Sequence, residues 1–258
     1  MKTLLIDGDI LVYKIATQNE IATDWGNGLW TLHCDENICK ADVDRRLKEL
    51  KENLKADKLV IALTDKENFR KDILPSYKEN RKDRRKPLTL PFLREYLVKE
   101  YKAIIKKGLE ADDVLGILAT TPSRDEKIIV SIDKDLLQIP SKISRDGLNI
   151  EEISESEADY WFMVQTLAGD ASDGYTGLPK CGVKTAVKIL GDHINVPILD
   201  LWLRVLAAYA KEGYSTNEVL QQARVARILR HNDYNKNTGR IKLWQTSSRS
   251  PHITSAIR

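Results

Sequence analysis

Acidic residues that close apolar runs are the part of this 258-residue chain best suited to chemistry. Asp7-Gly8-Asp9 follows Leu4-Leu5-Ile6, and Asp65 follows the apolar run at 59–63. Glu110, Asp112 and Asp113 stand just before an apolar run at 114–118. Asp133 and Asp135 follow the run at 128–132, and Asp170 and Asp173 follow residues 166–169. Short apolar runs that each stop at an acid read as buried parallel strands whose carboxyl edge gathers negative charge. Two like charges ~4 Å apart repel by about 4 kcal/mol at an effective dielectric of ~20. Acids crowded in this way need cations, and an all-oxygen ligand set suits Mg²⁺ or Mn²⁺.

A second set of residues is basic. Residues 75–82 read Pro-Ser-Tyr-Lys-Glu-Asn-Arg-Lys, and Lys78 and Arg81 would share a face on a helix. Tyr77 offers a ring for stacking on a base, and the cations offer charge to a phosphate. Most basic runs are solvated faces; the position between two acid-ended strands favours function here. A third set spans 169–186, a glycine-rich turn running into a helix. Backbone amides at such a helix start can hold a phosphate, with Lys184 and Thr185 as added donors. A plain packing corner between helices is the alternative, and the two acids just upstream weigh against it.

Composition fits this division. Net charge is only +3, but residues 66–107 carry 14 Lys and Arg against 6 Asp and Glu, leaving the rest of the chain net negative. A basic flank beside an acidic pocket suits an enzyme acting on a polyanion. With 42% hydrophobic residues the chain can build one α/β core with a helical annex. Cys34, Cys39 and Cys181 are too few for a disulfide framework and read as reduced thiols. His33, Cys34 and Cys39 fall short of a four-ligand zinc site. The apolar run at 4–6 is too short for a signal peptide, and no segment has the length of a membrane span, so a cytoplasmic protein is expected.

The elements that must position these residues follow from periodicity. Strands are expected at 2–7, 58–65, 101–105 and 127–133. Helices are expected at 10–18, 41–54, 112–120, 154–168, 182–190, 198–210 and 217–229. Ser154 with Glu157 makes a capping box. Acids in the first turn of the 112–120 helix are also ordinary dipole partners. Trp25, Gly26, Gly28 and Trp30 mark a turn with aromatic flanks, and both tryptophans are expected to pack against the protein. Residues 67–86, with Pro75 inside and Pro87 and Pro91 beyond, read as a helix–loop–helix excursion rather than a core element. Residues 247–258 read as a frayed polar tail. Strands alternating with helices, then helices alone, indicate an α/β core with a helical extension.

Taken in order, IDGD, TDKENFRKDILPSYKENRK, LEADDV, SIDKD and GDASDGYTGLPKCGVKTA resemble the flap endonuclease superfamily, and among its members the 5′→3′ exonucleases of short-tailed bacteriophages. The similarity extends over nearly the whole chain, including QQARVARILRHNDYN and IKLW. It implies an α/β PIN-like 5′-nuclease fold: a parallel-sheet core over 1–165 with a basic helical arch at 66–107, and a helix–three-turn–helix DNA-binding region over 166–246. It places Asp7, Asp65, Glu110 and Asp112 around one metal ion, and Asp113, Asp133, Asp135, Asp170 and Asp173 around a second. Tyr77, Lys78 and Arg81 match arch residues that engage the scissile phosphate and the 5′ end. Lys82, Arg84, Arg85, Gly182, Lys184 and Thr185 fall on the expected DNA path. The family's turn commonly reads Gly-x-Gly before its lysine; here Lys180-Cys181-Gly182 puts a lysine at the first glycine.

The expected activity is a Mg²⁺-dependent 5′→3′ exonuclease on double-stranded DNA, with Mn²⁺ as a substitute and flaps or the RNA strand of RNA–DNA hybrids as further substrates. If phage-encoded, it would work in the host cytoplasm. Two readings from other classes remain at this stage. Asp-Gly-Asp after a strand also resembles the first motif of haloacid-dehalogenase-type phosphatases, whose first Asp is a nucleophile. That motif wants Thr or Val where Leu11 stands. A non-catalytic structure-specific DNA-binding protein would be expected to lack some of the acids.

Overall fold

In the computed structural model, which describes residues 1–191 and 196–246, the apolar runs assemble into one six-stranded sheet. Its strands are β1 (Lys2–Asp7), β4 (Lys58–Leu63), β5 (Ile104–Ile105), β6 (Glu126–Val130), β7 (Ser141–Ser144) and β8 (Glu151–Ile153), in the order β5-β4-β1-β6-β7-β8. All neighbours pair parallel except β7 with β8. The chain leaves β1 towards β4 and β5, then returns to β6 on the other side. β1 and β6 therefore flank the point where the strand order reverses, the usual place for a site in an open α/β sheet.

Alternate residues of β1 feed opposite cores, which is why the strand reads as an unbroken apolar run. Leu4 and Ile6 pack with α1 (Gly8–Gln18), α2 (Glu36–Asn53) and α4 (Leu90–Tyr101). Leu5 packs on the other face with α5 (Ala111–Thr120) and with Ile228 and Leu229. A third core lies in the helical region, where α6 (Glu155–Ala168) meets α7 (Val183–Leu190), α8 (Ile198–Lys211) and α9 (Thr216–Ala226). Phe162, Met163 and Leu167 of α6 belong to it, so the division expected between 165 and 166 cuts a helix. The Ser154–Glu157 capping box forms as expected. Among the described residues no helix is long and apolar enough to cross a membrane.

Several elements differ from expectation for physical reasons. The strand expected at 101–105 shrinks to two residues because α4 runs through Tyr101. Leu93 and Leu97, four apart, are fully buried in α4, and Pro91 starts the helix rather than breaking it. That half of the basic segment is core, and the freestanding excursion is the stretch after α3 (Arg70–Ile73). α2 begins five residues early, where the Asp35 side chain accepts from the amides of Asn37 and Ile38. Residues 21–33 form a separate two-stranded ribbon, β2 (Ile21–Asp24) with β3 (Trp30–His33). Its tryptophans do not pack inward: Trp25 is 66% and Trp30 60% exposed. The expected polar tail lies outside the described residues.

Two backbone positions carry measurable consequences. Gly116 lies inside α5, where an added Cβ would come 2.4 Å from the Leu229 carbonyl. Alanine ordinarily stabilises a helix interior over glycine by roughly 0.5–1 kcal/mol; Gly116→Ala should instead lose about 1–3 kcal/mol through overpacking. Urea unfolding decides, and a stabilised variant would mean that residues 228–229 do not press on α5. In the turn before α7, Gly169 and Gly177 lie back to back, a Cβ on either coming within 2.4 Å of the other's amide nitrogen. Lys180, at the position of the family's glycine, holds φ +59°. Left-handed backbone costs a side-chain-bearing residue about 1 kcal/mol. Lys180→Gly should therefore leave the same unfolding curve unchanged or raise stability by up to about 1 kcal/mol; a loss beyond that would show that the lysine side chain supports the turn.

Candidate active site

At the β1/β6 reversal the strand ends present their acids. Asp7, buried, ends β1 and caps α1 through the Ile10 amide at 3.1 Å. Its other oxygen accepts from the Ser131 hydroxyl at 3.0 Å, just past β6. Ser131 also accepts from the Asp133 amide at 3.1 Å, so one hydroxyl ties the two strand ends together. Asp133 in turn caps the short helical turn Lys134–Gln138 by accepting from the Asp135 amide. Neither the strand pattern nor the acid spacing singled out Ser131; its place between an apolar run and Asp133 is the only sequence signal.

Glu110 and Asp112 come to this edge at the start of α5. Burial pushes the Asp7 carboxyl up to about 6, with the Asp133 charge adding to it. The same burial, joined by the charges of Asp7, Asp133 and Glu110, holds Asp112 well above the carboxylate range. Asp135 is pushed up to about 7 by burial and then by Asp133, with smaller contributions from Asp170 and Asp173. These acids feel one another, and the causes trace one continuous patch from Asp7 to Asp173.

The basic excursion supplies the counter-charge. Lys78, with backbone φ +55°, precedes a single 3₁₀ turn at Glu79–Arg81, so Lys78 and Arg81 do not share an α-helical face. They meet instead on acids. Lys78 donates to Glu110 and lies 3.5 Å from Asp173, while Arg81 donates to Asp173. The Lys78 amide bonds the Asp173 carbonyl at 2.7 Å, docking the excursion on the glycine-rich turn. Burial alone would raise Glu110, but Lys78 and Arg70 outweigh it and hold the carboxyl below its ordinary value. Burial likewise disfavours charged Lys78, yet Glu110 and Asp173 keep it firmly protonated.

Three expected roles are revised. Tyr77 is only 2% exposed and cannot offer its ring to a base; its hydroxyl lies 2.9 Å from Glu110 and 3.0 Å from Asp173. Asp113 is fully buried and both its oxygens bind the guanidinium of Arg70 at 2.7–2.8 Å, which removes it from the metal-ligating set. Asp65 accepts from the Gly108 amide at 2.8 Å, and that bond keeps its pKa low; its charge is not among those that raise Asp7, Asp112 and Asp135, which sets it apart from the cluster. Asp9, which was not expected to bind a metal, is held by Arg94 and the Thr64 amide. Asp170 accepts from the amides of Ser172 and Asp173, and these bonds outweigh burial to keep it low.

Of the residues on the expected DNA path, Lys82 pairs with Glu79 and Arg85 with Glu20, a carboxylate that also accepts from the Leu88 amide. Arg84 is exposed. Gly182 caps α7 with no side-chain bond, and Lys184 and Thr185 are exposed in its first turn. The Thr185 amide already bonds the Gly182 carbonyl at 2.9 Å, which leaves the Val183 and Lys184 amides for a ligand.

Among the described residues no three His, Cys, Asp or Glu side chains converge tightly enough to form a ready ion site. Lys78 and Arg81 stand among the acids in this conformation. The donor set nevertheless suits a hard divalent cation. It is all oxygen, several of its carboxyls are pushed up by burial and then by one another's charge, and Asp135 Oδ1 is buried without a hydrogen-bond partner. Residues that hold charge at this cost gain from an ion between them.

Comparison with known proteins bears on the family and the fold. Residues 2–160 match the family model described as the 5′-3′ exonuclease N-terminal resolvase-like domain. The exonuclease of Escherichia phage T7 is 32% identical over an alignment covering 94% of this chain and 93% of that protein. The exodeoxyribonuclease of Enterobacteria phage T3 is 31% identical, over 95% and 93%. Among solved structures, the bacteriophage T5 D15 flap endonuclease in complex with DNA and metal ions superposes with TM-score 0.57 at 15% identity, over 86% of this chain and 99% of that one. That likeness speaks for the fold. The family match and the phage relatives go further: this chain belongs to the 5′-3′ exonuclease family.

Proposed function

We propose that the chain is a divalent-metal-dependent nuclease that removes nucleotides from the 5′ ends of double-stranded DNA. The observation that carries this reading is the meeting, at the β1/β6 reversal, of mutually repelling acids with Lys78 and Arg81. Asp7, Glu110 and Asp112 would hold one ion, and Asp133, Asp135, Asp170 and Asp173 a second, with Mg²⁺ as the working metal and Mn²⁺ as a substitute. The chemistry such ions supply is to acidify a water and to relieve charge on a phosphate.

The protein groups divide the remaining work. Lys78 and Arg81 reach the acids from the excursion and present positive charge where a phosphodiester would lie. Tyr77, buried behind them, fixes Glu110 and Asp173 with its hydroxyl. The open amides of α7, with Lys184 and Thr185, grip a backbone phosphate of the uncut duplex. Such contacts read backbone and shape, so cleavage is largely independent of sequence, and the RNA strand of a hybrid falls within the same recognition. A phosphatase of the haloacid-dehalogenase type has no use for the excursion that brings Lys78 and Arg81 onto Glu110 and Asp173.

Incubation with 5′-labelled duplex tests the reading directly. Mg²⁺ should support stepwise loss of label and EDTA should abolish it. Asp133→Asn keeps an oxygen for the Asp135 amide while removing the charge, so it should bind DNA and fail to cut. Turnover in EDTA, or near wild-type cleavage by Asp133→Asn, sinks the proposed metal site.

Lys78→Ala separates chemistry from binding. Loss of one donor aimed at transition-state charge costs ~10²–10³ in rate. An ordinary surface lysine would change only affinity and salt dependence, by under about 1 kcal/mol. Single-turnover rates at saturating enzyme mask the binding effect, and a variant within threefold of wild type would reduce Lys78 to a docking contact.

A further inference from the structure

Arg70 is the most completely engaged side chain near the acids, and the site as described assigns it no role. It is 2% exposed. Its Nη1 and Nη2 bind the two oxygens of Asp113 at 2.7 and 2.8 Å. Its Nε donates to the Val225 carbonyl at 2.9 Å and Nη2 to the Arg227 carbonyl at 2.7 Å. Nη1 also lies 3.4 Å from Glu110 Oε2, the oxygen that faces the Tyr77 hydroxyl. Asp113 closes the loop by accepting from the amides of Glu110, at 3.2 Å, and Leu229, at 3.1 Å.

We propose that Arg70 is a positioning residue for the active site, holding Glu110 through a fork whose other prongs are the backbone of residues 225–229. The geometry requires an arginine. Five donors in one plane meet two carboxylates at the start of α5 and two carbonyls at residues 225 and 227. A lysine in the same space carries the charge but cannot hold this pattern. Glu110 is fixed from two sides, by its amide through Asp113 and by its carboxylate through Arg70. The C-terminal segment is thus part of the site without touching any group that would meet the substrate.

This inference rests on the proposed role of Glu110 as a metal ligand, and its test is read without cleavage. Mn²⁺ binding to the full-length protein, without DNA, is measured by calorimetry well below each variant's unfolding midpoint. Arg70→Lys should keep a native circular dichroism spectrum yet bind Mn²⁺ at least tenfold more weakly. Its single-turnover rate should fall by at least thirtyfold, while DNA affinity without divalent ions stays within threefold of wild type. Asp113→Asn approaches the same fork from the other side. With its counter-ion weakened, Arg70 competes for Glu110, and Mn²⁺ binding should again fall at least tenfold. A lowered melting temperature with wild-type Mn²⁺ binding in both variants would make the fork purely structural and overturn the proposal. Wild-type protein that binds Mn²⁺ but cuts no DNA would remove the nuclease reading and leave this one standing. Wild-type protein that binds no Mn²⁺ would overturn both.

Discussion

Repulsion among carboxylates at one edge of the sheet is the constraint to which the surrounding structure answers. Parallel strands deliver their ends to the same side, so Asp7 and Asp133 arrive together by topology alone. At an effective dielectric of ~20, each close pair costs about 4 kcal/mol. The protein meets this in two ways. Beneath the site, Arg70 neutralises Asp113 in a sealed, fully bonded fork. Above it, Lys78 and Arg81 reach in from a segment that is otherwise exposed. The first arrangement is fixed by packing. The second is exchangeable, as a charge must be if ions and a polyanion are to enter.

That distinction separates residues that look alike in the sequence. Asp112 and Asp113 are adjacent and equally acidic, yet one faces the crowded edge and the other is shut inside with an arginine. Lys78 and Arg70 are eight residues apart in one basic stretch, yet only Lys78 retains exposure. Tyr77 is drawn inward beside them, its one hydroxyl proton within reach of both the Glu110 and the Asp173 carboxylate.

Much of the architecture was legible because strands and amphipathic helices announce themselves by period. β1, α5, the capping box of α6, and α7 through α9 all begin close to their expected positions. α4 was hidden because its charged face and the prolines before it resemble the loop that precedes it; only the Leu93–Leu97 spacing gave it away. β7 and β8 are short and polar, and pairing rather than composition makes them strands. α9 stops at Ala226, short of the expected Leu229, because the next residues are committed to Arg70 and Asp113. In the site, the acids could be listed from strand ends, but not sorted. Whether Asp65 turns to a neighbouring amide or to the cluster depends on loop geometry that no spacing encodes.

The fork at Arg70 also bears on how such a chain is made. Arg70 and Val225 are 155 residues apart, and at synthesis rates of about 5–20 residues per second that separation lasts roughly 8–30 s. The last strand of the sheet ends at Ile153 and the last of the site acids is Asp173, so only for the final stretch to Val225, roughly 3–10 s, can the sheet and its acids exist while two of the guanidinium's acceptors have yet to be translated. A buried arginine left short of partners is strongly destabilising, so Arg70 takes its buried place only once residues 225–227 are present to accept from it. The fork therefore closes only after the helical half has also been made, which ties the last-made part of the described chain to a residue made near its beginning.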